Sequence, residues 1–151
     1  MYKRQGIHSE PLLAEPFLCC LPQSHSLATQ ARIDLAQLAN DDFILFPRAV
    51  SPHYHDLIIS RCVAAGFSPR IRHETRLWQT VVAMVAHEMG VALVPQTLAM
   101  LGQPGVHYGE LEGSGAPSQI QAIRLEDKPS AAAESFLGLL KSLIKPAAGG
   151  R

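Results

Sequence analysis

Seven histidines and thirteen acidic side chains give this 151-residue chain the raw material for metal or acid–base chemistry, so their spacing decides. The most suggestive pair is His87-Glu88, inside the stretch AHEMGVALVP (residues 86–95). A zinc-hydrolase helix needs a second His four residues after the first, so that both imidazoles share a face and the Glu acts as base. That position holds Val91, and Gly90 interrupts the helix before it. His53 and His55 flank Tyr54, but side chains two apart on a helix point to different faces. Asp41-Asp42 could pair as acids, yet they stand in a polar loop before an apolar run. The patterns GxSxG and GxGxxG and the phosphate-binding loop are absent. Cys19, Cys20 and Cys62 lack CxxC spacing and read as small buried apolar residues. Cys62 falls on the apolar side of a helix, where a thiolate is disfavoured. These residues point to no enzyme, no metal and no cofactor.

The elements that would position any site alternate along the chain. FLCCLP (Phe17–Pro22) reads as a buried strand, and IDLAQLAN as a helix with Asp34 at its N-cap and Gln37 three residues later, a capping-box arrangement. FILFP (43–47) is a continuous apolar strand of the kind found in a sheet covered on both faces. In SPHYHDLIISRCVAAGF, Ser51 is placed to cap a helix, Pro52 sits at its first position and Gly66 supplies a left-handed stop. Tyr54, Ile58, Cys62 and Ala65 form its apolar stripe. RIRHE is a short strand centred on Ile71. LWQTVVAMVAHEMG is apolar on most sides over 81–86, which predicts a deeply buried helix. His87 and Glu88 then form its solvated last turn, where a His meets the negative end of the helix dipole. GVALVP is another buried strand, followed by the short helix QTLAML, GVHYGEL, the loop EGSGAPS and the strand QIQAIRL. Ser130 opens a final helix with Phe136, Leu140, Leu143 and Ile144 at helical spacing. The order β-α-β-α-β-α-β-β-α predicts an α/β, Rossmann-like fold with a mainly parallel sheet.

Composition narrows the function classes. Hydrophobic residues make up 47% and charged residues 17%, as in a soluble globular domain. Thirteen basic and thirteen acidic residues cancel, which removes the bulk charge that binding to nucleic acid requires. The apolar run PFLCCLP is far shorter than the ~20 residues of a membrane helix, so no membrane partner is expected. The opening MYKRQ (1–5) pairs with no later pattern and is read as a non-native leader, a cloning or read-assembly scar, outside the fold. No secretion signal follows it.

In an open α/β sheet, ligands sit beyond the carboxyl ends of parallel strands, where the following helices present free N–H groups. Two such places occur. One is the loop after FILFP, carrying Arg48 and Ser51. The other is the turn ETRLWQT, carrying Trp78, Gln79 and Thr80. Arg48 would offer a fork for a carboxylate, Trp78 an aromatic wall, and Gln79 and Thr80 orienting hydrogen bonds. The competing readings are a solvated Arg, a core Trp and a locally bonded Thr.

The succession EPFLCCLPQSHSLATQARIDLAQLANDDFILFPR, HDLIISRCVAAGFSPRIRHETRLWQTVVAMVAHEMGVALVPQTLA and GVHYGEL resembles the effector-binding region of LysR-type transcriptional regulators. His25, Ser26, Leu27 and Ala28 match that family's HPLA, with Ser in place of Pro. Leu35–Leu38, FILFPR, the AGFSP turn, the QT helix start and GVALVP follow in the family's order. The likeness covers roughly residues 10–145 and implies a periplasmic-binding-protein type 2 architecture. It further implies two regulatory subdomains with a small effector bound in the cleft between them, contacted by the same two loops.

No helix-turn-helix pattern is present, so the resemblance implies an N-terminally truncated regulator, with one complete lobe and part of the other. Residues 23–118 would be the second subdomain, 6–22 and 119–145 part of the first, and 146–151 a frayed tail. DNA would be bound only through the missing N-terminal domain. The family further implies a cytoplasmic protein and a homo-oligomer assembled through the regulatory domains. The helix 53–65, with Ile59 and Val63 on its outer face, is the candidate contact. The alternative reading is a lobe of a periplasmic-type solute-binding protein, which shares the two-lobed plan but needs a secretion signal.

Overall fold

The computed structural model describes residues 6–113, 115–125 and 130–144; the expectations for residues 1–5 and 146–151 lie outside them. In chain order the strands are β1 (Ile7–Glu15), β2 (Phe17–Pro22), β3 (Arg32–Ile33), β4 (Asp42–Leu45), β5 (Arg70–Glu74), β6 (Ala92–Pro95), β7 (Val106–Leu111) and β8 (Ser118–Leu125). The α-helices are α1 (Pro52–Ala64), α2 (Trp78–Ala86) and α3 (Ala131–Leu143). These elements divide between two units, one of residues Pro16–Ala116 and one formed by the segments on either side. The sequence draws its boundary at residues 23–118; the compact unit begins earlier because β2 lies between β7 and β6 in its sheet.

The unit Pro16–Ala116 holds a four-stranded sheet in the order β3-β7-β2-β6 and a parallel pair, β4-β5. β2 runs antiparallel to both β6 and β7, whereas β3 runs parallel to β7. A single parallel bridge, Phe43 to Val91, carries β4 toward the start of β6. The α/β expectation therefore holds, but the mainly parallel sheet does not: the sheets are mixed. FLCCLP is buried at every position because both of its faces are covered. Such a run has the same composition whichever way its neighbours point, so burial alone misreads direction.

Two apolar clusters lie on the two sides of these strands, and the strands feed them alternately. Cys19 and Leu21 of β2, Phe43 and Leu45 of β4, and Leu93 of β6 join Ile58 and Cys62 of α1. Cys20, Ile44, Phe46, Ala92 and Val94 join Val81, Val82 and Val85 of α2. This alternation is the period of two that a pleated strand imposes. Each large side chain so enclosed contributes roughly 1.5–3 kcal/mol.

α1 begins at Pro52 as expected, but the Ser51 hydroxyl makes no capping bond, so that assignment is corrected. Ser51 instead contributes backbone: its carbonyl accepts from His55 N–H at 3.0 Å, and its own N–H donates to Pro47 O at 3.2 Å. A proline at the first position already fixes the entry angle and removes one orphan N–H. At the other end Gly66 has φ 92°, Gly66 N–H donates to Val63 O, and Phe67 N–H donates to Cys62 O. This is the glycine-terminated helix stop. Ile58 and Cys62 are buried, and Tyr54 and Ala65 pack on the same cluster. Ile59, expected on the outer face, is half-buried and also packs against that core, while Val63 is 57% exposed.

IDLAQLAN and QTLAML form 3-10 turns, Leu35–Leu38 and Gln96–Leu101. Asp34 caps the first, accepting from Ala36 N–H at 3.0 Å. α2 ends at His87, and the chain turns through Gly90 (φ 148°) into β6. A Cβ at Gly90 would stand 2.5 Å from the Asp42 carbonyl oxygen, so only glycine lets these backbones meet.

The other unit contains a strand that the sequence did not reveal. β1 pairs antiparallel with β8, with a register shift between Pro11 and Leu13. α3 is capped by Ser130, which accepts from Ala133 N–H at 3.4 Å. Ion pairs join Lys141 to Glu10 and Arg124 to Glu134. α3 buries no residue: Phe136, Leu139 and Leu143 are exposed, and Leu140 is half-buried.

Candidate functional site

The site grows from the ends of two neighbouring strands. β4 and β5 are parallel partners, so the chain leaves both at the same end, and Thr75 N–H extends the ladder by donating to Leu45 O at 3.0 Å. From β4 the chain turns at Pro47, whose carbonyl accepts from Val50 N–H, and enters α1. From β5 it passes Leu77 and enters α2 at Trp78. Two helices of 13 and 9 residues therefore begin beside each other, beyond adjacent strand ends. Each start carries roughly half a positive elementary charge on its free N–H groups.

Aromatic side chains lock the two starts together. The Trp78 ring lies 4.7 Å from Phe46, at the end of β4, and 4.9 Å from Tyr54, in the first turn of α1. Tyr54 also meets Phe46 edge-on at 5.4 Å and donates its hydroxyl to Leu93 O at 2.6 Å. Burial raises the Tyr54 phenol above its ordinary range. Trp78 is half-buried and packs on the core cluster.

Arg48 is exposed and already holds a carboxylate. Its Nε donates to Asp56 Oδ1 at 2.7 Å and its Nη2 to Asp56 Oδ2 at 2.9 Å, a two-bond fork. The guanidinium lowers the Asp56 carboxyl below its usual range, and Asp56 raises Arg48 in turn. Gln79 is exposed; Ser51 and Thr80 are half-buried. The structure thus sets Arg48 and Ser51 on one helix entry and Trp78, Gln79 and Thr80 on the other, with Trp78 in contact with both. Sequence reasoning missed Asp56, one helical turn into α1; in the same two loops Val50 is 43% and Leu77 62% exposed. The eight-residue spacing from Arg48 to Asp56 was the only signal, and it carries no periodicity.

His87 and Glu88 form the exposed end of α2. Glu88 adopts φ 61° and accepts from Ser24 Oγ at 2.6 Å. Among the described residues no group of three His, Cys, Asp or Glu could hold a metal ion. Cys19 and Cys20 are buried, and burial pushes both thiols up to about 12. Among the described residues no helix is long and apolar enough to cross a membrane.

Residues 3–145 match the LysR substrate binding domain family. The chain belongs to that family. IlvR of Caulobacter vibrioides, an HTH-type transcriptional regulator, is 36% identical over 100 residues, covering 66% of this chain and 33% of its own. CatR of Pseudomonas putida, also an HTH-type transcriptional regulator, is 32% identical over 135 residues, covering 89% of this chain and 46% of its own. This LysR domain therefore spans a third to about half the length of these curated relatives. Among solved structures, the BenM effector binding domain with its effector benzoate superposes on all of this chain and 72% of its own, with TM-score 0.79 at 17% identity. That likeness establishes the mixed α/β fold as the LysR effector-domain fold. The solute-binding-lobe alternative loses its footing, because family and relatives alike are regulators.

Proposed function

We propose that this chain is the effector-sensing regulatory part of a LysR-type transcriptional regulator, and that its effector is a small organic acid with an apolar, aromatic-sized body. The observation that carries this reading is the pairing of the α1 and α2 starts around Trp78 beyond the β4 and β5 ends. The two helix entries carry two partial positive charges, the Arg48 guanidinium, and the exposed apolar side chains Val50 and Leu77. An anion with an apolar body uses every one of these groups; a neutral sugar leaves the charge unused. BenM, which shares the fold, takes benzoate, an acid of this class.

In this reading Arg48 exchanges Asp56 for the ligand carboxylate, Ser51, Gln79 and Thr80 orient it through hydrogen bonds, and Trp78 lies against its body. No catalysis, cofactor or metal is involved. The unit Pro16–Ala116 corresponds to the second regulatory subdomain and the flanking segments to part of the first. The complete regulator works in the cytoplasm, binds DNA through a separate domain and assembles through its regulatory domains, with exposed Val63 of α1 on the contact face. The test is a thermal-shift screen of aromatic and aliphatic carboxylates against their neutral amides, with Arg48→Ala and Thr80→Ala alongside. Stabilisation by carboxylates alone, weakened in both variants, supports the reading. Stabilisation by amides and acids alike contradicts the charge argument.

A further inference from the structure

Outside this site, one half-buried arginine is held by neutral groups. Arg61, on the last turns of α1, is half-buried and takes part in no ion pair among the described residues. Its Nη2 donates to the Ala116 carbonyl at 2.5 Å. The guanidinium carbon lies 5.2 Å from the centroid of the Phe17 ring, within cation–π range. Its Nε is buried and has no hydrogen-bond partner. Asp34 and Glu112 line the same 390 Å³ cavity as Arg61, yet neither forms an ion pair with it. Burial lowers the Arg61 pKa, consistent with a cation held out of water without a counter-charge.

Phe17 and Ala116, which Arg61 contacts, lie at the two ends of this unit. The unit Pro16–Ala116 is joined to its flanking segments by two peptide bonds, Glu15-Pro16 and Ala116-Pro117. Phe17 follows the first by one residue, and Ala116 forms the second. Both connections run into proline, which fixes its own φ and restricts the residue before it. Gly115 borders the arrangement: a Cβ there would stand 2.5 Å from the Arg61 guanidinium carbon, so a side chain at this place would displace the guanidinium.

We propose that Arg61 is a positioning residue that ties α1 to both ends of this unit at once, holding Phe17 and Ala116 in place against the helix. A displacement of α1 is then delivered to Phe17 and Ala116 together. An arginine suits this role where lysine would not, since a planar guanidinium can stack on a ring and donate sideways at the same time.

The experiment is amide hydrogen exchange on the purified chain, comparing the unaltered protein with Arg61→Met and Gly115→Ala. The first variant keeps the apolar stem and removes the tie; the second leaves α1 intact and displaces the guanidinium from the loop side. Both should exchange about fivefold faster in peptides spanning residues 15–18 and 111–118, the loss of one net hydrogen bond. Peptides from β4, β5 and α2 should stay unchanged. Unchanged exchange at these two ends in either variant, or equal acceleration across the whole unit, would overturn the proposal.

Discussion

Trp78 and Tyr54 meet edge to face, with ring centroids 4.9 Å apart and planes at 79°. One opens α2 and the other lies in the first turn of α1, so this contact holds two helix starts in register. Edge-to-face pairs place the positive ring edge on the negative face and contribute about 0.5–1.5 kcal/mol beyond burial. Tyr54 extends the tie into the sheet through its bond to Leu93 O.

Tyr54→Phe should keep the ring contacts and remove only that bond, leaving the Leu93 carbonyl without its donor. We expect a loss of about 1–3 kcal/mol in urea denaturation. An unchanged unfolding midpoint would mean that solvent replaces the hydroxyl and that the helix starts are not anchored to β6.

Alkaline pH should destabilise the fold. Burial pushes the thiols of Cys19 and Cys20 up to about 12 and that of Cys62 to about 11, against an ordinary 9.0. Tyr108 is pushed up to about 12 and Tyr54 upward as well. A group whose pKa is raised by folding keeps its proton longer in the folded state, so the unfolded chain releases protons first. Its contribution is complete below the unfolded pKa and is lost as pH rises through the folded one. Melting temperature should therefore hold up to about pH 8.5 and fall steadily above it. Replacing all three cysteines by alanine should flatten the first part of that fall; an identical slope would exclude the thiols as its source.

The apolar face of α3 is the main association hazard. Phe136 is 63% exposed, Leu139 61% and Leu143 71%, with Ile123 of β8 at 72%. Contiguous apolar surface of this kind favours self-association. The purified chain should scatter light as an oligomer, and Phe136→Ser with Leu143→Ser should reduce its size. What remains should run through α1, so adding Val63→Asp should leave a monomer. A monodisperse monomer before any substitution contradicts this.

Periodicity made α1 and α2 legible from the sequence, because their apolar stripes are long and one ends in the Gly66 stop. Strand direction was not legible, since the buried residues of β2 and β6 say nothing about which way a neighbour runs. β1 escaped notice because Pro11 and a register shift break its alternation. At the site, the residue types pointed to the two loops, and their side-by-side placement follows from β4 pairing with β5. The Arg48 fork on Asp56, the Phe46-Tyr54-Trp78 cluster and the Arg61 contacts depend on side chains brought together by the fold, and nothing in their spacing announces them.

Trp78 is the chain's single tryptophan, which makes its emission a direct probe of the proposed site. Titrating aromatic and aliphatic carboxylates, with their neutral amides as controls, should change Trp78 fluorescence for acids only. Arg48→Ala should weaken that response roughly ten- to a hundredfold, the loss of a charged hydrogen bond. Because the Arg48–Asp56 pair is exposed, the same substitution should leave the melting temperature unchanged. An acid that binds with undiminished affinity after Arg48→Ala and Thr80→Ala, or an amide that binds as well as its acid, would contradict the assignment of this site.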